Sequence, residues 1–211
     1  MKKTQRHKSK SKSKSKSKSK SKSKSKSKTN PVFTDKDFVS NDGFLTTVWG
    51  PPMWHFLHTM SFNYPVHPTE ADKRNYGAFI NGLQHVLPCK YCRVNLKTNL
   101  KNHPLRACHL ASREAFSKYV YELHEIVNKL LGKTSGLAYC DVRERYEHFR
   151  ARCTDDPKPR MIKLQTNHKT HKRGCTEPLY GQYSKCVMKI VPQDAPTETL
   201  SIDRQCFKRR E

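Results

Sequence analysis

From Lys8 to Lys28 lysine and serine alternate without a break, and no apolar residue interrupts them. A segment with nothing to bury cannot offset the entropy of being ordered, so residues 1–34 are read as a disordered basic tail and linker. This removes a sixth of the chain from any core and concentrates charge. Residues 1–28 hold 14 of the 42 Lys and Arg and none of the 18 acids, against a formal net charge of +24. Such a polycation draws non-specific contact with nucleic acid through counterion release, or acts as a solubilising or targeting tail. No apolar run follows it as in a secretory signal, and no stretch approaches the ~18 apolar residues of a transmembrane helix.

What remains divides into a globular region over residues 35–153 and an extension over residues 154–211 that contains Cys175, Cys186 and Cys206. The globular region reads as helices. Pro51 and Pro52 suit a first helical turn, followed by Trp54, Leu57, His58 and Phe62 at helical spacing. Thr69 caps a second helix with the stripe Tyr76, Phe79, Ile80, Leu83, Val86 and Leu87, interrupted by Pro88. A third helix spans Cys89 to Leu100. Ser112 opens a fourth, whose face is Phe116, Tyr119, Val120, Leu123, Val127 and Leu130, closed by Gly132. Asp141 to Glu144 resembles a capping box for a short fifth. No alternating strand pattern competes, so the fold class is all-α, a small helical bundle. In the extension, Cys186 to Val191 is a β-prone run fit at most for a hairpin-like module.

Eight cysteines are many for a reduced cytosolic chain and point to disulfides, metal or thiol chemistry. Cys89 and Cys92 stand two residues apart at a helix N-terminus beside Lys90 and Arg93, an environment that lowers a thiol's pKa and favours thiol–disulfide exchange. The same spacing serves zinc, for which His85, Cys108 and His109 are further candidates. No second CxxC or HxxxH follows, so no metal ligand is assigned. Trp54 and His58, one turn apart, could grip a flat ring system or be a core pair. Lys129 and Lys133 could reach phosphates or be a solvated surface.

The order Trp49-Gly50, Trp54, Leu57-His58, then Cys89-x-x-Cys92, then His124-x-x-Val127-Asn128-x-x-Leu131-Gly132-Lys133, then Cys140 and Arg145-Tyr146 resembles the Erv/ALR family of FAD-linked sulfhydryl oxidases. The resemblance spans about residues 45–153. It implies a four-helix bundle plus a short fifth helix, usually a homodimer, in which two thiols of a protein substrate become a disulfide. Electrons pass through FAD to O2, giving H2O2. It implies that Cys89 exchanges with incoming dithiols while Cys92 lies against the flavin. Gly50, Trp54, His58, Tyr64, His124, Val127, Asn128, Lys129, Leu131, Lys133, Arg145 and Tyr146 would bind FAD, with the two lysines on the phosphates. Members from large DNA viruses carry similar accessory regions, which implies the host cytoplasm or the virion. Family members often staple the fifth helix by a disulfide from the position of Tyr121 to that of Cys140. Here Cys140 must pair elsewhere, with Cys153 or Cys108, or stay free. Glu125 stands where an Asn is common, and Pro51 where a basic residue is often found. Cys175, Cys186 or Cys206 could relay electrons, form a structural disulfide or remain thiols. The rival from another class is a zinc-stabilised nucleic-acid-binding protein using the Lys/Ser tail.

Overall fold

The computed structural model describes residues 34–154, 174–180, 183–196 and 202–206. The Lys/Ser tail therefore lies outside the described residues. The chain divides into two compact units, residues 1–40 and 41–211. In the first, the described part is a single helical turn, α1 (Asp35–Phe38), whose N-terminus is closed by Asp37 accepting from the Thr34 amide at 2.7 Å.

The second unit is mostly helical: α2 (Thr46–Phe62), α3 (Glu70–Val86), α4 (Lys90–Asn102), α5 (Arg113–Leu130) and the short α6 (Tyr139–Glu147), with a 3-10 turn at Ala107–Leu110. The first four form the bundle and α6 is the short fifth helix. α2 packs on α5 and α3 on α4, while α6 lies against α2 and α5. The core that joins them is Leu57, Tyr64, Ile80, Leu83, Leu96, Leu100, Leu110, Phe116, Tyr119, Val120 and Leu123.

The caps explain most boundaries. Thr69 and Asp72 close α3 reciprocally, the Thr69 hydroxyl accepting from the Asp72 amide at 3.1 Å and the Asp72 carboxylate accepting from the Thr69 amide at 2.8 Å. Ser112 caps α5 by accepting from the Ala115 amide at 3.2 Å. At the other end Gly132 takes φ 64, its amide reaches Lys129 O and the Lys133 amide reaches Asn128 O at 2.8 Å. These two bonds are the pattern of a left-handed helix stop.

Three expectations need correction. α2 begins at Thr46, so Pro51 and Pro52 lie inside it rather than in its first turn; they forgo the bonds to the carbonyls one turn back. Asp141 is not the cap of α6 but its third residue, accepting from the Ala138 amide at 2.8 Å. The run Cys186 to Val191 forms no strand, and most of its side chains stand in solvent. The strands are β1 (Ala151–Thr154) and β2 (Gly174–Pro178), antiparallel, with Cys153 opposite Cys175 and a register shift after Arg152. Pairing of β1 with β2 joins residues on both sides of position 153. Arg150 leads into β1, donating to Phe62 O at 3.0 Å and to Glu147 at the end of α6, whose carboxyl it holds below the usual range.

Candidate active site

Pro88 stops α3 by forcing Leu87 into extended backbone, at φ −55 and ψ 136. Cys89 then becomes the N-cap of α4, in extended conformation, and its Sγ accepts from the Cys92 amide at 3.2 Å. Cys89 and Cys92 are joined as a disulfide with Cα atoms 5.2 Å apart. Both residues are partly exposed. The Arg93 guanidinium donates to Leu87 O rather than reaching toward sulfur.

The second constellation forms where α2, α5 and α6 converge. The rings of Trp54 and His124 stack 4.0 Å apart and 8° from parallel. His124 Nδ1 and His58 Nε2 share a hydrogen bond of 2.9 Å, and Tyr146 lies 5.2 Å from the His58 ring. Tyr146 also stacks on Phe62 and meets His55 Nδ1 at 3.3 Å through its hydroxyl. Burial pushes His58 from an ordinary 6.5 down to about 3, the neighbouring rings of His124 and His55 adding to it. Burial likewise pushes His124 down to about 4, with Glu125 pulling the other way. Both imidazoles are therefore neutral at pH 7. Burial lifts the Tyr146 phenol to about 12, so it stays protonated. His58 is 3% exposed, yet its Nδ1 has no hydrogen-bond partner among the described residues. An unpaired buried ring nitrogen among flat aromatic faces fits a planar, hydrogen-bonding guest.

The end of α5 carries the next group. The helix stop fastens the backbone of Lys133 to that of Asn128, which keeps Asn128, Lys129 and Lys133 at one helix end. Lys129, Leu131 and Lys133 are exposed and Val127 is half-buried. The Asn128 amide donates to Glu125 at 3.0 Å, so that carboxylate is engaged within its own helix. A helix C-terminus carries partial negative charge, so an anion here depends on the lysines. Arg145 is half-buried on α6 beside Tyr146, and Gly50, on α2, has nothing within 4 Å of where a Cβ would stand. Tyr64 is not brought to this constellation. It is fully buried in the core, its hydroxyl donating to Leu110 O at 2.9 Å and its ring against Tyr76 and Phe116.

Cys108 and Cys140 are free and exposed, and among the described residues no three His, Cys, Asp or Glu side chains form a group able to hold a metal. Cys140 thus takes the unpaired alternative. Cys186 and Cys206 are free as well, whereas Cys175 is in a disulfide. The candidate site residues read from the sequence did not include His55 and Phe149. His55 and Phe149 join the ring cluster through Tyr146, and only their nearness to Trp54 and Tyr146 in the chain hinted at it.

Comparison with known proteins identifies the family. The model of the Erv1 / Alr family matches residues 51–157. A protein of Acanthamoeba polyphaga mimivirus, described as "Probable FAD-linked sulfhydryl oxidase R368", is 39% identical over 99 residues, covering 47% of this chain and 68% of the relative. The FAD-linked sulfhydryl oxidase ERV1 of Arabidopsis thaliana is 34% identical, covering 40% of this chain and 42% of its own. The mitochondrial FAD-linked sulfhydryl oxidase ERV1 of Saccharomyces cerevisiae is 31% identical, covering 40% and 43%. The chain spans under half the length of the latter two. A helical bundle holding a CxxC disulfide at a helix N-terminus, with the family pattern over half its length, makes the chain a member of the Erv1/Alr family.

Proposed function

We propose that the protein is an FAD-dependent thiol oxidase that forms disulfides in protein substrates. The observation that carries this reading is the partly exposed Cys89–Cys92 disulfide at the N-terminus of α4, in a chain of this family. A substrate thiolate attacks Cys89 Sγ, the bond to Cys92 breaks, and Cys92 Sγ leaves with the electron pair as a thiolate. The second substrate thiolate then attacks the substrate sulfur of the mixed disulfide and releases Cys89. The substrate has lost two electrons, which now reside on the pair, and its two protons have passed to solvent. The free amides at the start of α4 favour the negative charge that appears on these sulfurs.

Bound FAD would carry the two electrons away from the reduced pair to O2, which becomes H2O2. The unpaired His58 nitrogen and the parallel faces of Trp54 and His124 support binding of such a planar group. Tyr146 and Arg145 would flank it from α6. Asn128, Lys129 and Lys133 would meet its polar end, with Val127 and Leu131 as apolar neighbours and Gly50 leaving room along α2. Tyr64 would act at a distance, by fixing the core beneath α2. A homodimer is favoured by the exposed Phe56 and Phe79, which meet edge to face at 6.2 Å across α2 and α3. The mimivirus relative supports action in the host cytoplasm or virion of a large DNA virus. No described helix is long and apolar enough to cross a membrane.

The purified protein is expected to show flavin absorbance and to consume oxygen when given dithiothreitol. Cys92→Ser removes the leaving sulfur, so turnover falls at least about a hundredfold while FAD absorbance persists. Oxygen uptake at the wild-type rate by this variant refutes the assignment.

A further inference from the structure

The segment just before α2 passes against the redox disulfide at a distance no side chain allows. A Cβ built on Gly43 would stand 2.7 Å from Pro88 O and 2.8 Å from Cys89 Cα, both main-chain atoms that cannot swing aside. The next residue, Phe44, donates its amide to Pro88 O at 2.8 Å. Its carbonyl in turn accepts the indole N–H of Trp49 at 3.1 Å, which ties the segment to α2. On the other flank, Leu87 O receives both the Cys89 amide, at 2.8 Å, and the Arg93 guanidinium. Residues 87–89 are thus gripped from two sides. Burial of apolar surface does not explain the contact, since Phe44 is 76% and Leu45 74% exposed.

We propose that residues 43–45, tied to α2 through Trp49, form a positioning strap that holds the Cys89 backbone in register with Cys92 and so sets the balance between the disulfide and the dithiol. Cys92 is anchored within α4, whereas Cys89 sits at its very end, where its carbonyl accepts the Arg93 amide at 3.1 Å and the strap holds it from the other side. Closing the pair therefore costs little additional freedom, which raises the effective concentration of one thiol at the other. Loosening the strap shifts the balance toward the dithiol. The strap rests on the reading that Cys89–Cys92 cycles between the two forms, and its test counts sulfurs rather than turnover.

The full-length protein is equilibrated without oxygen in graded mixtures of reduced and oxidised dithiothreitol. Free thiols at positions 89 and 92 are then trapped by alkylation and counted by peptide mass spectrometry. Gly43→Ala is expected to move the midpoint toward the dithiol by about tenfold in equilibrium constant, close to 30 mV for this two-electron couple. Trp49→Phe keeps an aromatic ring, though a smaller one, and loses the N–H, and should move it the same way by about threefold. Gly82→Ala, on α3 with nothing within 4 Å of the added Cβ, is the control and should leave the midpoint in place. A Gly43→Ala midpoint within about twofold of wild type, or one displaced toward the disulfide, overturns the strap. If Gly43→Ala does not fold, Trp49→Phe decides by its direction alone: a midpoint unmoved or moved toward the disulfide overturns it. A shifted midpoint in a protein that consumes no oxygen refutes the oxidase reading and leaves the strap standing.

Discussion

Two imidazoles joined nitrogen to nitrogen at 2.9 Å have one proton to share between the facing atoms, and burial makes a second unwelcome. His58 and His124 are accordingly held neutral, with pKa values lowered from 6.5 to about 3 and about 4. In the unfolded chain both titrate near 6.5. Between pH 6.5 and about 4 the unfolded state therefore binds more protons than the folded one. The stabilisation is complete above 6.5 and is lost as pH falls toward the folded values, at up to about 1.4 kcal/mol per pH unit for each proton. Replacing His58 by Phe keeps a ring and removes one titrating group. Thermal melts between pH 7 and pH 4 should show a shallower loss of stability for His58→Phe than for wild type, by a slope of about one proton. Parallel curves would mean that His58 is protonated in the fold.

At the scale of elements, Tyr121 shows how one substitution is absorbed. It stands where the family resemblance leads to a cysteine bonded to the Cys140 position, and Cys140 is free. The Tyr121 hydroxyl instead donates to Leu137 O at 2.8 Å, and its ring meets Tyr139 edge-on at 5.9 Å, so the start of α6 is fastened to α5 without a covalent bond. Tyr121→Phe leaves that carbonyl without its donor and should cost about 1 kcal/mol. Urea unfolding measures it, and an unchanged midpoint would show that α6 is held by its aromatic contacts alone. The helices themselves were legible because their signals are local: Thr69, Ser112 and Gly132 act within one turn of their own positions. Pairings across the fold were not. His58 and His124 are 66 positions apart, and nothing in either neighbourhood marks them as partners. Nor did local propensity find the strands. Cys186 to Val191 has the β-prone composition but no partner edge, while Ala151–Thr154 has one in Gly174–Pro178. Tyr64 entered the candidate site through the family resemblance alone, and its place in the core, with its hydroxyl on Leu110 O, is set by a contact 46 positions away.

Across the whole molecule, charge divides more sharply than structure does. The first 28 residues carry 14 positive charges and no acid, and the remaining chain balances 28 basic against 18 acidic residues. Binding to a phosphate backbone by counterion release depends on how many cations reach phosphates, with log K falling by about 0.9 per contact for each log unit of salt. If the tail supplies these contacts, duplex DNA of any sequence should bind the full chain, and affinity should collapse by orders of magnitude between about 50 and 200 mM salt. Deleting residues 1–33 removes every one of the 14 charges while leaving the ring cluster, the disulfide and the strap intact. The truncated chain should lose most of the salt slope, measured by anisotropy of a labelled random duplex, yet oxidise dithiothreitol at the full-length rate. A slope retained by residues 34–211 would move the nucleic-acid contact onto the helical unit, where the basic residues of α4 begin beside Cys89. Substrate thiols and nucleic acid would then compete for one face, and added DNA should inhibit turnover.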